Sequence, residues 1–136
     1  MESRALIARG RYHNGYNCSQ AVICTYCDLV GMDASTAYKI SEGLGGGMAS
    51  TRGTCGALSA LVVLGGLKFS DGKDGAGETK LITGGAIKPA IEEFEQICGS
   101  RWCQKIKWEG IYDCHDAVEV AARLVEKHIF PELFQE

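Results

Sequence analysis

The segment GGGMASTRGTCGAL, residues 45–58, carries three glycines and a polar stretch up to a single cysteine, and the apolar run LSALVVLGG, residues 58–66, follows directly. That run shows no alternation of polar and apolar residues, so it reads as a buried helix over about 55–67 and not as a half-buried strand. The same reading extends outward in both directions. Val, Ile and Thr nowhere alternate with polar residues for long, and the turn signals stand at helical rather than hairpin spacing.

Upstream, the pattern predicts a first helix over 2–13 and a second over 18–30. Val22, Ile23, Tyr26, Leu29 and Val30 form the apolar face of the second, and Gly31 its C-cap. A short third helix follows Asp33, a suitable N-cap, and stops before Gly43. Downstream, the polar, Gly-rich connector FSDGKDGAGETK, residues 69–80, leads to a fifth helix over 79–97. Gly84, Gly85 and Pro89 predict a kink or break in it. The last long helix starts near Cys114 and turns Val118, Ala121, Ala122, Val125 and Ile129 inward. The expectation is an all-α, single-domain bundle of about five to six helices over residues 1–136, with the Gly-rich loop leading into a central helix.

The composition excludes several classes. With 136 residues, 46% hydrophobic and 23% charged, the chain has material for one ordinary globular core. Its net charge is -3 and its basic residues are scattered, which argues against nucleic acid. No apolar run approaches the roughly 20 residues of a membrane span. The first ten residues, MESRALIARG, lack the apolar core of a signal peptide, so a cytoplasmic location and no membrane insertion are expected. Seven cysteines are then the outstanding number. In a reducing compartment they point to metal binding or redox chemistry before structural disulfides, and an odd count does not close a disulfide framework.

Four of these thiols fall at predicted helix starts. Cys18 follows Asn17, Cys55 follows Thr54 and Cys114 follows Asp113, and all three preceding residues are good N-caps. Cys103 lies three residues after Ser100, which can cap SRWCQKI. A helix N-terminus offers unpaired N–H groups and about half a positive charge, which favours thiolate over thiol. If these four ends converge, the point where they meet suits an anionic metal–thiolate centre. The glycines ahead of Cys55 would then let backbone N–H groups approach its sulfurs.

Other constellations carry less. Cys24 and Cys27 form a C-x-x-C inside a helix with no preceding strand, and Cys98 ends the fifth helix. All three read as small buried hydrophobes. The loop at 45–54 lacks the Lys that a phosphate-binding P-loop places before Ser or Thr. His115 can ligate a metal or tune Cys114, but a first-turn surface histidine is the simpler reading. His13 and His128 follow no pattern.

Four stretches, NCSQAV (17–22), GGGMASTRGTCGAL (45–58), GSRWCQKI (99–106) and DCHDAV (113–118), together resemble the C_GCAxxG_C_C family of redox-active proteins, across about residues 5–127. The resemblance implies that Cys18, Cys55, Cys103 and Cys114 are the family's four cysteines and that Gly56 and Ala57 continue its box. Ala60 departs from it, standing where the box has a second Gly. Cys24, Cys27 and Cys98 match no family position. A similar pattern accompanies an iron–sulfur centre in the split-Soret cytochromes, so the resemblance supports a cluster here without naming a substrate.

The leading expectation is therefore an electron-transfer or redox-sensing protein in which Cys18, Cys55, Cys103 and Cys114 hold an iron–sulfur cluster. [2Fe–2S] and [4Fe–4S] centres both take four cysteines. Gly46, Gly47, Gly53 and Gly56 are expected to line it with backbone. The runner-up is a metal-free thiol–disulfide oxidoreductase, and a Cys₄ zinc site comes third. Either leading reading needs a redox partner protein, and a homodimer is compatible with both.

Overall fold

The computed structural model describes residues 1–75 and 77–134; Ala76, within the predicted connector, and Gln135 and Glu136 lie outside the described residues. The protein is all-α, and no strand forms among the described residues. Its helices are α1 (Ala5–His13), α2 (Cys18–Tyr26), α3 (Ala34–Glu42), α4 (Gly56–Phe69), α5 (Lys80–Cys98) and α6 (Cys114–Leu124).

The central helix is α4, which packs on α2, α5 and α6, while α1 lies along α6 and α2. Its side chains explain the position. Leu58, Leu61 and Leu64 are fully buried, and Gly65 lets α5 come so close that an added Cβ would meet Ile87 at 2.9 Å. Ala60, at the departure from the family box, is also fully buried, so its methyl is part of the packing. From α6 and its continuation, Val118, Ala121, Ala122, Val125 and Ile129 all point inward. Of the predicted face of α2, Val22, Ile23 and Tyr26 are fully buried, while Leu29 and Val30 are only half-buried.

Three helix ends form as the sequence predicts. The side chains of Asn17, Asp33 and Asp113 accept backbone N–H bonds from Gln20, Thr36 and Asp116. Gly31 takes the left-handed conformation, φ 71°, that a C-cap requires. Two expectations need correction. The second helix tightens to a 3₁₀ turn over Cys27–Val30. Pro89 lies inside a continuous α5 and does not end it. The bond Pro89 cannot make would go to the carbonyl of Gly85, four residues back; both residues are exposed, so water can serve that carbonyl.

One buried carboxylate joins three segments. Glu126 is 5% exposed and accepts from the Tyr26 hydroxyl at 2.5 Å and from the Arg4 backbone N–H at 2.7 Å. Burial, followed by this bond to the carboxylate, holds the Tyr26 pKa well above that of an ordinary phenol. Among the described residues, no helix is long and apolar enough to cross a membrane.

Candidate functional site

Cys18 occupies the first position of α2 and is fixed by what precedes it. Asn17 and Gln20 form a reciprocal capping box, and the Asn17 amide also donates to the Glu42 carbonyl at the end of α3. Cys114 holds the same position in α6 behind Asp113. Cys55 differs from the expectation: it is itself the N-cap of α4, with φ -47° and ψ 129°, and α4 begins at Gly56. Thr54 does not cap, because its antiparallel bridge with Trp102 holds the next residue, Cys55, extended through the Cys55 N–H bond to Arg101 O.

That bridge brings Cys55 and Cys103 together. The Cys55 N–H donates to Arg101 O at 2.7 Å, and the Cys103 N–H donates to Gly53 O at 3.0 Å. Ser100 caps its turn one residue early, accepting from the Trp102 N–H at 3.0 Å. Cys103 then leads into a short π-turn, Gln104–Trp108. Three of the four cysteines therefore sit at N-termini of long helices, and the fourth at the head of one turn.

The loop at 45–54 takes its shape from left-handed backbone. Gly46, Gly47, Met48 and Ala49 have φ of 66°, 68°, 59° and 56° in succession. Residues with a Cβ pay roughly 1–2 kcal/mol each for this conformation. The glycines have separate tasks. A Cβ on Gly47 would lie 2.6 Å from the Cys103 Cβ, and one on Gly53 would lie 2.8 Å from the Gly47 carbonyl oxygen. A Cβ on Gly56 would lie 2.6 Å from the Cys18 sulfur. Gly46 and Gly56 direct backbone N–H groups to that sulfur, Gly47 makes room for Cys103, and Gly53 makes room for the Gly47 backbone.

The outcome is one cavity of ≈ 150 Å³ whose wall includes Cys18, Cys55, Cys103 and Cys114. Tyr12 and Lys107 complete its polar lining, and Ile106 and Ala117 add apolar surface. Cys55 and Cys103 are 6% and 5% exposed, while Cys18 and Cys114 are half-buried. Tyr12 and Lys107 are absent from the sequence reading. Tyr12 reaches Cys114 from a different helix, and no local pattern marks such a contact.

The four thiols titrate as a group. The Cys55 S–H donates to the Cys18 sulfur, and this bond is the largest influence on both. Burial opposes ionisation of Cys18, but N–H groups of Gly46, Gly56 and Ser19 add to the Cys55 bond, and its pKa falls to about 6. Cys55 is pushed well above the ordinary thiol value by the same bond, by burial and by the Cys18 charge. Burial comes first in raising Cys103, with the charges of Cys18 and Cys114 behind it. Burial also raises Cys114, against a hydrogen bond from Tyr12. The polypeptide alone thus holds one thiolate and three thiols, and each new negative charge there opposes the next.

The remaining cysteines stand apart. Cys24 and Cys27 line a separate surface groove with Arg11, and burial raises both thiols. Cys98 is buried at the end of α5, and burial pushes it up to about 12. His115 packs against the edge of Tyr12, with ring centroids 4.8 Å apart, and His128 pairs with Glu93 at 2.9 Å. Among the described residues, no group of three or more His, Cys, Asp or Glu side chains is arranged to hold a metal ion.

A helical fold with four thiols around one small cavity defines a cysteine-based redox protein as the class. The profile of the family described as "Putative redox-active protein (C_GCAxxG_C_C)" matches residues 16–128, and the chain belongs to that family. Neither a curated protein nor a solved structure matches the chain.

Proposed function

We propose that the cavity is a redox centre and that Cys18, Cys55, Cys103 and Cys114 hold an iron–sulfur cluster in it. The observation that carries the reading is that four separate segments deliver four thiols to one enclosed space of ≈ 150 Å³. The chemistry of the donor set supports it. Cys103 and Cys114 resist ionisation first through burial, and Cys55 first through its bond to Cys18 and then through burial; a bound cationic iron would favour the thiolate form of all three.

A single zinc ion is the geometrically more demanding alternative. It requires four sulfurs at about 2.3 Å from one point. A cluster distributes its thiolates over several irons and tolerates a wider set. When bound, the cluster supplies one-electron chemistry. The chain's own residues donate N–H groups from Gly46, Gly56 and Ser19 to the Cys18 sulfur and a hydroxyl from Tyr12 to Cys114, and they bury Cys55 and Cys103 away from water.

One observation favours a second reading. Cys18 carries a thiolate beside the Cys55 thiol, which is the arrangement a dithiol oxidoreductase uses. Cys18 would attack a partner disulfide, breaking its S–S bond, forming a mixed disulfide and releasing one thiolate. Cys55, once deprotonated, would displace the second thiolate and leave a Cys18–Cys55 disulfide, two electrons having passed to the partner. The burial of Cys55 and the idle Cys103 and Cys114 fit this less well.

The test is anaerobic purification from cells replete in iron and sulfide, with iron, acid-labile sulfide and visible absorbance measured per chain. The cluster reading expects colour, and its loss on replacing any one of the four cysteines by Ser. A colourless, iron-free protein with rapidly alkylated Cys18 decides for the dithiol.

A further inference from the structure

We infer that the surface of the 47–54 loop and the 101–108 segment, which pack together and deliver Cys55 and Cys103, is a docking face for an acidic electron-carrier protein, and that Met48, Arg52, Trp102, Lys105 and Trp108 make the contact. The inference rests on the redox reading of the cavity and adds the chemistry of its partner.

Charge is the first argument. Residues 43–59 and 99–108, which supply Cys55 and Cys103, contain Arg52, Arg101, Lys105 and Lys107 and none of the seventeen acidic residues. The rest of the chain is therefore more acidic than its net charge of -3 suggests. Arg101 pairs with Glu95 at 3.2 Å and Lys105 with Glu109 at 3.2 Å, both exposed pairs of small energetic weight. Lys107 lies 5.5 Å from the centre of the Trp108 ring and reaches the cavity wall. Asp113 and Asp116 lie beside Cys114 in α6 and its cap; Asp113 caps α6, and Asp116 is paired with Arg9. The field at this face is therefore positive, and it attracts a negatively charged surface.

Exposed apolar area is the second argument. Trp102 is 47% exposed, Trp108 62% and Met48 60%, although each lies beside well-buried residues. Trp and Arg are the side chains enriched at interface hot spots. Met48 stands exposed on a left-handed backbone with φ 59° and ψ 42°. The third argument is proximity. Trp102 precedes Cys103 and is bridged to Thr54, which precedes Cys55, so a protein seated on Trp102 contacts the backbone that carries two of the four thiols on its inner side. One electron crosses there without bond making or breaking: the carrier is oxidised as the centre is reduced, or the reverse.

The test uses the full chain, an acidic [2Fe–2S] ferredoxin as probe and a basic cytochrome as counter-probe. Iron and sulfide are assayed on the same sample, and binding is measured separately from electron transfer. A protein without a cluster would count against the redox reading, while the binding measurement still decides the docking face. The ferredoxin should bind the wild type, and its affinity should fall at least tenfold between low and moderate salt. Arg52→Glu with Lys105→Glu, and separately Trp102→Ala with Trp108→Ala, should each weaken it by about tenfold or more at unchanged helicity. Failure of the ferredoxin to bind, salt-independent binding, equal binding by both variant pairs, or preference for the basic cytochrome or for single-stranded DNA would overturn the inference.

Discussion

Gly56→Ala is the substitution that most directly tests how this backbone holds its reactive sulfur. The new Cβ would stand 2.6 Å from the Cys18 sulfur, 2.9 Å from the Leu44 carbonyl oxygen and 3.0 Å from the Gly45 Cα. Ordinary contact begins at 3.4 Å, so the sulfur alone must give way by about 0.8 Å, and the two backbone atoms cannot swing aside. Overpacking of this kind costs roughly 1–3 kcal/mol, against a gain of at most about 1 kcal/mol for Ala over Gly in a helix. The displaced sulfur also loses the Gly56 N–H, and a hydrogen bond to a charged group is worth about 1.5–3 kcal/mol. That loss raises the Cys18 thiol from about 6 toward the ordinary thiol value.

Gly66→Ala is the matched control, since it lies in the same helix and its Cβ would meet nothing within 4 Å. It should stabilise the protein by about 0.5–1 kcal/mol. The assays are denaturant unfolding of the reduced, metal-free protein and the pH profile of Cys18 alkylation read by mass spectrometry. Gly56→Ala should be less stable by about 1–2 kcal/mol and should titrate later. Equal stability of the two variants, with Cys18 ionising at one pH in both, would refute the steric account.

Three further outcomes follow from the same geometry. In the reduced, metal-free wild type, iodoacetamide should modify Cys18 first, with a midpoint near pH 6, and should leave Cys98, pushed up to about 12, unmodified at pH 8; prior modification of Cys98 or Cys24 would contradict it. Cys24→Ala and Cys98→Ala should each cost about 1 kcal/mol of packing and leave the iron content per chain unchanged, whereas Cys103→Ser should lower it. The Glu93 carboxyl is held below its ordinary value by His128 and then Lys127, Asp28 by Arg4, and Glu132 by Lys68. Because the folded values lie below the unfolded ones, their contribution is complete above the ordinary carboxylate range and is lost as pH falls through the lower, folded values. Glu93→Gln should flatten that part of a stability–pH curve measured by urea unfolding.

The helices and the positions of the four thiols were readable because both depend on local rules. Asn17, Asp33 and Asp113 cap wherever they precede an apolar-periodic run, and an N-cap fixes the next residue as the first of the helix. Cys55 broke the rule because a tertiary bridge engages Thr54, and Trp102 lies too far along the chain for any local pattern to register it. The break allowed for at Pro89 does not occur, for the opposite reason. Its penalty is a local rule that exposure and a side-chain-free Gly85 relieve. The left-handed turn at Met48 and Ala49 left no trace, since neither residue favours φ above zero. Tyr12 and Lys107 enter the cavity through packing of α1 and of the 101–108 segment, which only the assembled fold defines.

The groups that favour the Cys18 thiolate are all neutral: the Cys55 thiol and three backbone N–H groups. A neutral donor set stabilises an anionic sulfur without cancelling its charge, so the site keeps its attraction for a cationic group. It also separates two properties that a ring of lysines would tie together. The ionisation of the sulfurs depends on backbone conformation, and hence on Gly46, Gly56 and the cap at Asn17, while the field seen from outside depends on Arg52, Arg101 and Lys105. Lys107, which lines the cavity and favours ionisation of both Cys103 and Cys114, is the one cation among these that acts on both. Substitutions at Arg52 and Lys105 should therefore change the choice of partner at constant cluster content, whereas Lys107→Ala should raise the Cys103 and Cys114 thiols and weaken docking together. That difference, measured on the three variants side by side, separates a face built for recognition from a cavity built for the sulfurs.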